Sequence, residues 1–145
     1  MDVSQQIVNA VVPRVTGLAT SGTRVFAERP EAYPLAETEV PAVLVFDDGE
    51  SVDADGGGLN IEALQVNVRL QLVTKAVAGA AATVRQMRAE VRQALVAPLT
   101  IGSSSVPLFY EGTDMEESAQ SDRPVVRATL RFRASLFAST PETLA

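Results

Sequence analysis

Two long stretches in which apolar and polar residues alternate constrain the fold of this chain more than any other feature. The first covers residues 61–73, and the second lies within residues 123–138. Successive side chains of a β-strand point to opposite faces of a sheet, so the alternation predicts two long strands that are covered on one face. The apolar positions are Leu64, Val66, Val68, Leu70 and Leu72 in the first stretch, and Val126, Ala128, Leu130, Phe132, Ala134 and Leu136 in the second.

Two other segments show the periodicity of amphipathic helices. In residues 4–19 the apolar side chains fall on one stripe, with Ser4 as the expected N-cap and Pro13 on the opposite side. In residues 79–97 apolar residues recur every three or four positions, and Pro98 ends the pattern. Each helix therefore has one apolar face that must pack against another layer of the molecule.

Shorter runs complete the predicted elements. Residues 23–26, 42–46 and 107–118 each indicate a strand, and residues 100–106 indicate a flexible loop. The sequence thus predicts an α+β fold, a two-layer sandwich in which two helices pack on one face of a mostly antiparallel sheet. A chain of 145 residues suits a single domain over residues 1–145, and residues 139–145 are expected to form a loose tail.

The residue types that are missing restrict the chemistry of the chain. It has no His, Cys or Trp, which excludes a Ser-His-Asp triad, a Cys-His pair and most zinc sites. We therefore expect neither catalytic residues nor a cofactor. The net charge of −6 argues against nucleic acid as the main partner. The sequence also shows no signal peptide and no apolar run that could span a membrane, so we expect synthesis in a cytoplasm and no membrane contact.

An acidic, glycine-rich stretch at residues 47–60 is expected to form a flexible loop. Its carboxylates are those of Asp47, Asp48, Glu50, Asp53 and Asp55. Carboxylate oxygens bind calcium and magnesium, which makes Asp53 and Asp55 the candidate metal ligands. The spacing does not match a calcium-binding loop of twelve residues, because the twelfth position counted from Asp53 is Leu64. A solvated connection between strands and an acidic segment that becomes ordered against a basic partner are the other interpretations.

Seven arginines form two groups on the predicted elements. Arg69, Arg127, Arg131 and Arg133 lie on the outward face of the long strands, and Arg85, Arg88 and Arg92 flank the apolar stripe of the second helix. Both groups are either solvated or bind carboxylates of a partner through forked hydrogen bonds. Residues 1–60 hold three Arg and ten Asp or Glu, a charge of −7, whereas residues 61–145 hold nine Lys or Arg and eight Asp or Glu, a charge of +1. This asymmetry favours head-to-tail pairing between copies, in which these arginines meet the five carboxylates of the acidic stretch.

Residues 25–46, VFAERPEAYPLAETEVPAVLVF, join a short strand to an apolar strand through a loop that contains prolines. An acidic loop and a long alternating strand follow. The distinctive positions are Phe26, Arg29, Pro30, Pro41, Ala42, Val43 and Val45. In these positions and in the order of its elements, the chain resembles the tail terminator proteins of long-tailed phages, such as the lambda-like minor tail protein at the end of the tail tube.

The resemblance implies a structural protein and not an enzyme. Members of this family form a ring, usually of six subunits, which caps the tail tube, stops its polymerisation and presents a surface for head attachment. The implied partners are further copies of the chain, the tail tube protein and the head–tail connector protein. The implied location is the head-proximal end of the tail in a virion assembled in a bacterial host. For Phe26, Arg29, Pro30 and Pro41 we expect a structural role.

Several other functions fit the same sequence. Head–tail joining proteins, tail-completion proteins, tube proteins and adaptors of secretion machines with tail-like parts are the close alternatives. A divalent-metal enzyme centred on residues 47–55 is the alternative from a different class.

Overall fold

The alternating stretches form the centre of a sheet in a computed structural model of the chain, which describes residues 1–29, 35–75, 79–118 and 125–145. Within these residues the helices are α1 (Val3–Val15) and α2 (Ala80–Ala94), with a short 3-10 helix at Glu37–Glu39. The strands are β1 (Val25–Ala27), β2 (Ala42–Gly58), β3 (Ile61–Lys75), β4 (Leu99–Ile101), β5 (Ser104–Val106), β6 (Leu108–Ser118), β7 (Val125–Thr140) and β8 (Thr143–Leu144).

The two predicted long strands are β3 and β7, and they pair with each other along nearly their whole length. The antiparallel register runs without a shift from Glu62 opposite Ala138 to Lys75 opposite Val125. β2 and β6 pair antiparallel on either side, and β1 pairs parallel with β2, which gives the order β1-β2-β3-β7-β6. β8 also pairs with β7, and β4 and β5 form a separate small hairpin.

Both helices cover the same face of this sheet. Their buried apolar residues include Ile7 and Val11 of α1 and Val84, Met87 and Val91 of α2. These side chains meet the apolar positions of β3 and β7 that the alternation predicted. Removal of this apolar surface from water is the main stabilising contribution to such a fold. The predicted two-layer α+β sandwich is therefore confirmed.

The opposite face of the sheet carries a smaller apolar cluster near β1. It consists of Leu35, Ala42, Leu44, Phe46 and Val73, with Phe26 packed against it. The Lys75 ammonium donates a hydrogen bond to the Leu35 carbonyl at 2.7 Å, which ties the segment after residue 34 to the end of β3. This end of the sheet is therefore covered on both faces, whereas the rest of the second face carries polar and charged residues together with the exposed Phe109 and Phe137.

The start of α1 differs from the prediction. Asp2 and not Ser4 is the N-cap, and its carboxylate accepts a hydrogen bond from the Gln5 backbone N–H at 2.8 Å. A carboxylate at this position also interacts favourably with the helix dipole. Ser4 is buried, and its hydroxyl donates to the Glu50 carboxylate of β2 at 2.7 Å. Pro13 lies inside the helix and is exposed, on the side predicted.

The expected acidic loop is instead a continuation of β2. β2 runs on to Gly58, and Asp47, residues 50–53 and Gly58 pair with the first half of β3, so that the turn is confined to Leu59 and Asn60. Asn60 has a φ of 61°, which asparagine tolerates better than most residues. The physical reason is that the backbone groups of a long central strand need partners on both sides. β3 therefore imposes an extended conformation on residues that lack a strand pattern.

Two further expected loops are also ordered by pairing. Residues 100–106 belong to the β4–β5 hairpin, in which Leu99 and Val106 are buried. The expected loose tail contains the end of β7 and all of β8, and the Val3 backbone N–H donates to the Pro141 carbonyl at 3.0 Å. Both corrections have the same cause, since backbone hydrogen bonds fix segments whose side chains show no pattern. That residues 1–145 form a single domain stays a prediction.

Candidate interaction surfaces

Three of the predicted arginines lie side by side on the sheet face that the helices leave open. Arg69 of β3 stands directly opposite Arg131 of β7, and Arg133 follows one position further along on the same face. Like charges that stand directly opposite each other on a sheet are destabilising. The arrangement therefore requires negative charge nearby, either from the same chain or from a partner.

Carboxylates of the neighbouring strands supply this negative charge. Arg69 Nε lies 3.7 Å from Asp48 Oδ1, and Arg133 Nε lies 3.9 Å from Glu111 Oε2. Arg131 forms a hydrogen-bonded ion pair with Asp114. We call these six residues the charged sheet face. The three arginines are thus neutralised within their own chain, which favours a structural role, and their contact with another copy stays a prediction.

Two β-bulges place the carboxylates on this face. The register of β2 shifts between Asp47 and Glu50, and the register of β6 shifts between Tyr110 and Gly112. The extra residues at these shifts include Asp48 and Glu111, the partners of Arg69 and Arg133. A bulge inserts a residue without a ladder partner and re-aims its side chain. The two bulges therefore direct the carboxylates of Asp48 and Glu111 towards the arginines, whereas in a regular strand these side chains would point elsewhere.

Aromatic rings support the same arginines from the side. The Arg69 guanidinium carbon lies 4.6 Å from the centre of the Phe46 ring, and that of Arg133 lies 5.0 Å from the centre of the Phe109 ring. Such cation–π contacts add to the ion pairs. Arg127, the fourth predicted residue, is exposed, and its register partner in β6 is Glu116.

The arginines of α2 are in a different environment. Arg92 lies over the Tyr110 ring of β6, with 3.9 Å between its guanidinium carbon and the ring centre. Arg85 is exposed and Arg88 is half-buried. Among the residues that the structure describes, no carboxylate lies within ion-pair distance of Arg85 or Arg88. Their charges are therefore available to carboxylates from outside the chain.

A groove runs between α2 and β6 beside these arginines. It has a volume of about 460 Å³, and its lining includes Leu108, Tyr110 and Phe132 together with Arg92 and Val96 of the helix end. Val96, at the end of the helix, is 71% exposed. The groove thus combines apolar side chains with polar ones, among them the cation of Arg92.

The far end of the β2–β3 hairpin forms the second prominent surface. This hairpin tip, residues 52–62, extends the sheet at the exposed end of β2. Its exposed apolar side chains are those of Val52, Leu59 and Ile61, and Leu59 is 92% exposed. The sequence reasoning missed these residues. The available signal was a leucine between Gly58 and Asn60, a position where turns usually carry polar residues.

The five predicted carboxylates divide into two sets. Three are engaged near the body of the sheet: Asp47 accepts the Gly49 N–H at 3.0 Å, Asp48 faces Arg69, and Glu50 accepts the Ser4 hydroxyl. Asp53 and Asp55 lie in the hairpin tip, where the Asp53 carboxylate accepts the Asp55 backbone N–H at 3.1 Å. The described residues contain no group of three or more His, Cys, Asp or Glu side chains arranged to hold a metal ion. The described residues therefore supply no further ligand that would complete a metal site with Asp53 and Asp55.

The distinctive residues within 25–46 hold the loop that follows β1 in place. Arg29 Nη1 lies 2.5 Å from Glu39 Oε2, and the Arg29 guanidinium carbon is 5.0 Å from the centre of the Phe26 ring. The Pro41 carbonyl accepts a hydrogen bond from Arg24 Nε at 2.8 Å. Each of these contacts lies within the chain, and the structural role of these residues stays a prediction. Pro30 lies outside the residues that the structure describes.

Glu39, the partner of Arg29, was not foreseen from the sequence. Hydrogen bonds from the Arg29 side chain and from the Ala36 backbone N–H lower the pKa of Glu39, against an opposing effect of desolvation. The same hydrogen bond raises the pKa of Arg29. The pair stays ionised at neutral pH and holds the two ends of the loop together.

Glu90 of α2 fastens a second connection. Its carboxylate accepts hydrogen bonds from the Thr20 backbone N–H at 2.9 Å and from the Thr20 hydroxyl at 2.7 Å. Desolvation raises the pKa of Glu90, but hydrogen bonds from Thr20 and Gln86 outweigh this effect and lower the pKa overall. The loop between α1 and β1 is thereby attached to α2.

No helix in the described part of the chain has the length and apolar character needed to cross a membrane. No protein-family model matches the sequence, and no curated protein matches it. Among solved structures, a chain of the "Virion of native gene transfer agent (GTA) particle" matches with 25% sequence identity and a TM-score of 0.55. The match covers 92% of this chain and 90% of the other. This chain is thus similar to a virion component.

The extent of the match matters more than its identity. Because it spans nearly all of both chains, the similarity concerns the fold as a whole and not one segment of it. It supports a structural virion protein and does not specify a position within a virion.

Proposed function

We propose that the chain is a structural protein of a virion or of a phage-derived particle, and that it caps the end of the tail tube as a ring. The similarity to a virion component over nearly the whole chain supports the proposal of a structural virion protein. The tail position is supported by the signature residues of residues 25–46, whose contacts fasten the loop after β1.

The surfaces of the molecule support assembly of several copies into a ring. A ring requires a heterologous interface, in which each copy presents two different and complementary patches. The hairpin tip carries exposed apolar and acidic side chains, and the groove beside α2 carries apolar side chains and the cation of Arg92. We expect six copies, as in the family that the sequence resembles, with the tail tube protein and the head–tail connector protein on the two faces of the ring.

The proposed role needs no chemical step. The chain has no His or Cys, and the described carboxylates with a shifted pKa fasten segments of the chain: Glu39 and Glu90 hold loops, and Glu142 pairs with the amino group of Met1. Their hydrogen-bond partners account for the shifts, whereas catalytic groups usually combine a shift with a cleft that admits substrate. These observations support a structural protein.

The capping role can be tested with purified protein and the cognate tube protein. Tube protein is polymerised with increasing amounts of this chain, and tube lengths are measured by negative-stain electron microscopy. We expect shorter tubes, with the chain at tube ends only, because a terminal ring blocks further addition while it leaves existing contacts intact. Tube protein alone and tube protein with an unrelated acidic protein of similar size are the controls.

Each contrary outcome has a definite meaning. Unchanged tube lengths, with no protein at tube ends, would contradict the capping role. Incorporation along the whole tube would indicate a tube protein, and binding to isolated heads but not to tubes would indicate a head–tail joining protein. A monomeric state of the pure protein would not contradict the proposal, because a weak ring can require the tube for its formation.

A further inference from the structure

The hairpin tip carries an apolar side chain that its own chain does not cover. Leu59 occupies the turn and is 92% exposed, and Ile61 at the start of β3 is also exposed. Single exposed apolar residues are common, but an almost fully exposed leucine at the end of a projecting hairpin favours burial against another surface.

The groove between α2 and β6 is a matching receptor for such a side chain. Its walls include Leu108, Phe132 and the exposed Val96, and its volume is about 460 Å³. Arg92 lies over Tyr110 at the rim, which places a cation next to the apolar opening. The groove can therefore take an apolar side chain that is flanked by carboxylates.

The charges of the two surfaces are complementary. Asp53 and Asp55 lie in the hairpin tip, and in the described chain neither faces an arginine or lysine. Arg85 and Arg88 of α2 likewise have no carboxylate partner there. By contrast, Asp48 and Glu50, in the same strand as the tip, are already engaged. Asp53 and Asp55 are also the two carboxylates of β2 nearest to the turn.

Within one copy the tip and the groove are separate surfaces. The tip belongs to β2 and β3, whereas the groove lies beside β6, and β7 separates β3 from β6 in the sheet. Asp53 and Gly56 border a cavity with Val106 and Pro107, and the groove is lined by residues of α2, β6 and β7 and their flanks. We therefore assign the contact to two copies, and a contact between two different patches continues in one direction until a ring closes.

We propose that Leu59 of one copy inserts into the α2–β6 groove of the next copy, where Asp53 and Asp55 pair with Arg85 and Arg88. This inference rests on the proposed ring and names the contact that builds it. Charge pairing fixes the register of the tip in the groove, and the apolar insertion excludes water from the contact.

The absence of native cysteine allows a direct test by disulfide cross-linking. In a Leu59→Cys, Val96→Cys variant, the two engineered thiols of adjacent copies should approach each other. We expect oxidation to give a ladder of covalent oligomers on non-reducing gels, both with and without tube protein. Both positions are exposed, so the variant should keep the circular dichroism spectrum of the parent.

A matched control separates specific contact from random collision. The Leu59→Cys, Arg127→Cys variant carries its second thiol at an exposed position of β7 on the open face of the sheet, which the proposed contact does not reach. It should give only dimers at the level of a single-cysteine variant. A Leu59–Val96 pair that cross-links no better than this control, with and without tube protein, would overturn the proposal.

Charge reversal supplies a second, independent measurement. Asp53→Arg with Asp55→Arg should weaken cross-linking in the Leu59→Cys, Val96→Cys background by about tenfold, and Arg85→Glu with Arg88→Glu should do the same. The combination of all four reversals should restore it, because the pairing is re-formed with opposite sign. Failure of the combination to recover any cross-linking would overturn the assigned pairing.

The cross-linking and capping experiments can fail separately. A specific Leu59–Val96 ladder with unchanged tube lengths would support the contact and contradict the capping role. Shortened tubes without that ladder would support capping and contradict the contact.

Discussion

Two groups of arginines in this molecule look alike in the sequence and differ in the structure. On the charged sheet face, Arg69, Arg131 and Arg133 each meet a carboxylate of a neighbouring strand. On α2, Arg85 and Arg88 meet none in the described chain. The difference teaches that the role of a surface arginine depends on what the adjacent elements bring to it. The first group stabilises one copy, whereas the second is suited to bind another.

The largest effect that separates the two groups is expected at Arg69. Its side chain is only 26% exposed, and its guanidinium group lies against Phe46 and near Asp48. Arg69→Glu would set a second carboxylate beside Asp48 at a partly buried position. We expect the free energy of unfolding to fall by about 1–3 kcal/mol, measured by urea denaturation.

Arg88→Glu is the matched control for this measurement. It makes the same change of charge on α2, where no ion pair of the described chain is lost. Its free energy of unfolding should stay within about 0.5 kcal/mol of the parent. If both variants lost the same stability, the distinction between the two groups would be wrong.

A smaller effect is expected at Arg131. This side chain is 41% exposed and its partner Asp114 is 75% exposed, so solvent screens the pair. Arg131→Glu should lower the free energy of unfolding by about 0.5–1 kcal/mol, less than the change at Arg69. The exchange Arg131→Glu with Asp114→Arg should recover most of this loss at low salt. No recovery would mean that the lost contact is packing and not the ion pair.

The elements that carry a side-chain pattern were predictable from the sequence. β3 and β7 alternate because the helices cover one of their faces, and α2 repeats its apolar residues at helical spacing for the same reason. Burial of one face requires apolar residues at regular intervals, and this period can be recognised from the sequence alone. The two-layer fold follows from these elements.

The segments that were mispredicted owe their conformation to a partner. Residues 47–58 have glycines and aspartates that disfavour a strand, but they pair with β3, whose backbone requires a neighbour. β8 at the C-terminal end depends in the same way on β7. The strand propensity of a segment depends on its own residues and not on the strand that pairs with it, so a single sequence cannot reveal such pairing.

The sequence predicted some features of the surfaces and missed those that depend on pairing between strands. The sequence indicated which arginines point outward, because strand parity fixes the face. It could not indicate that bulges bring Asp48 to Arg69 and Glu111 to Arg133, since a bulge depends on the register between two strands. Leu59 was likewise missed because residues 47–60 were taken to be one solvated loop.

The smallest expected effect concerns Arg29, a third kind of arginine, which binds a carboxylate ten residues further along the chain. Its hydrogen bond lowers the pKa of Glu39 from the ordinary value of 4.5. Because the pKa in the folded state lies below that in the unfolded state, ionised Glu39 favours folding. This contribution is fully present above about pH 5. It is lost as the pH falls below 4.5 and through the lowered pKa of Glu39 in the folded state.

Glu39→Gln should therefore lower the melting temperature at pH 7 and have a progressively smaller effect below pH 4.5, as measured by scanning calorimetry. Glu62→Gln is the matched control, since Glu62 is exposed in β3 and has no hydrogen-bond partner among the described residues. Its effect should be small at both pH values. An effect of Glu39→Gln that is equally large at pH 7 and at pH 3 would mean that this side chain stabilises the loop by packing. Arg29 would then differ from the arginines of the charged sheet face in its mechanism as well as in its place on the chain.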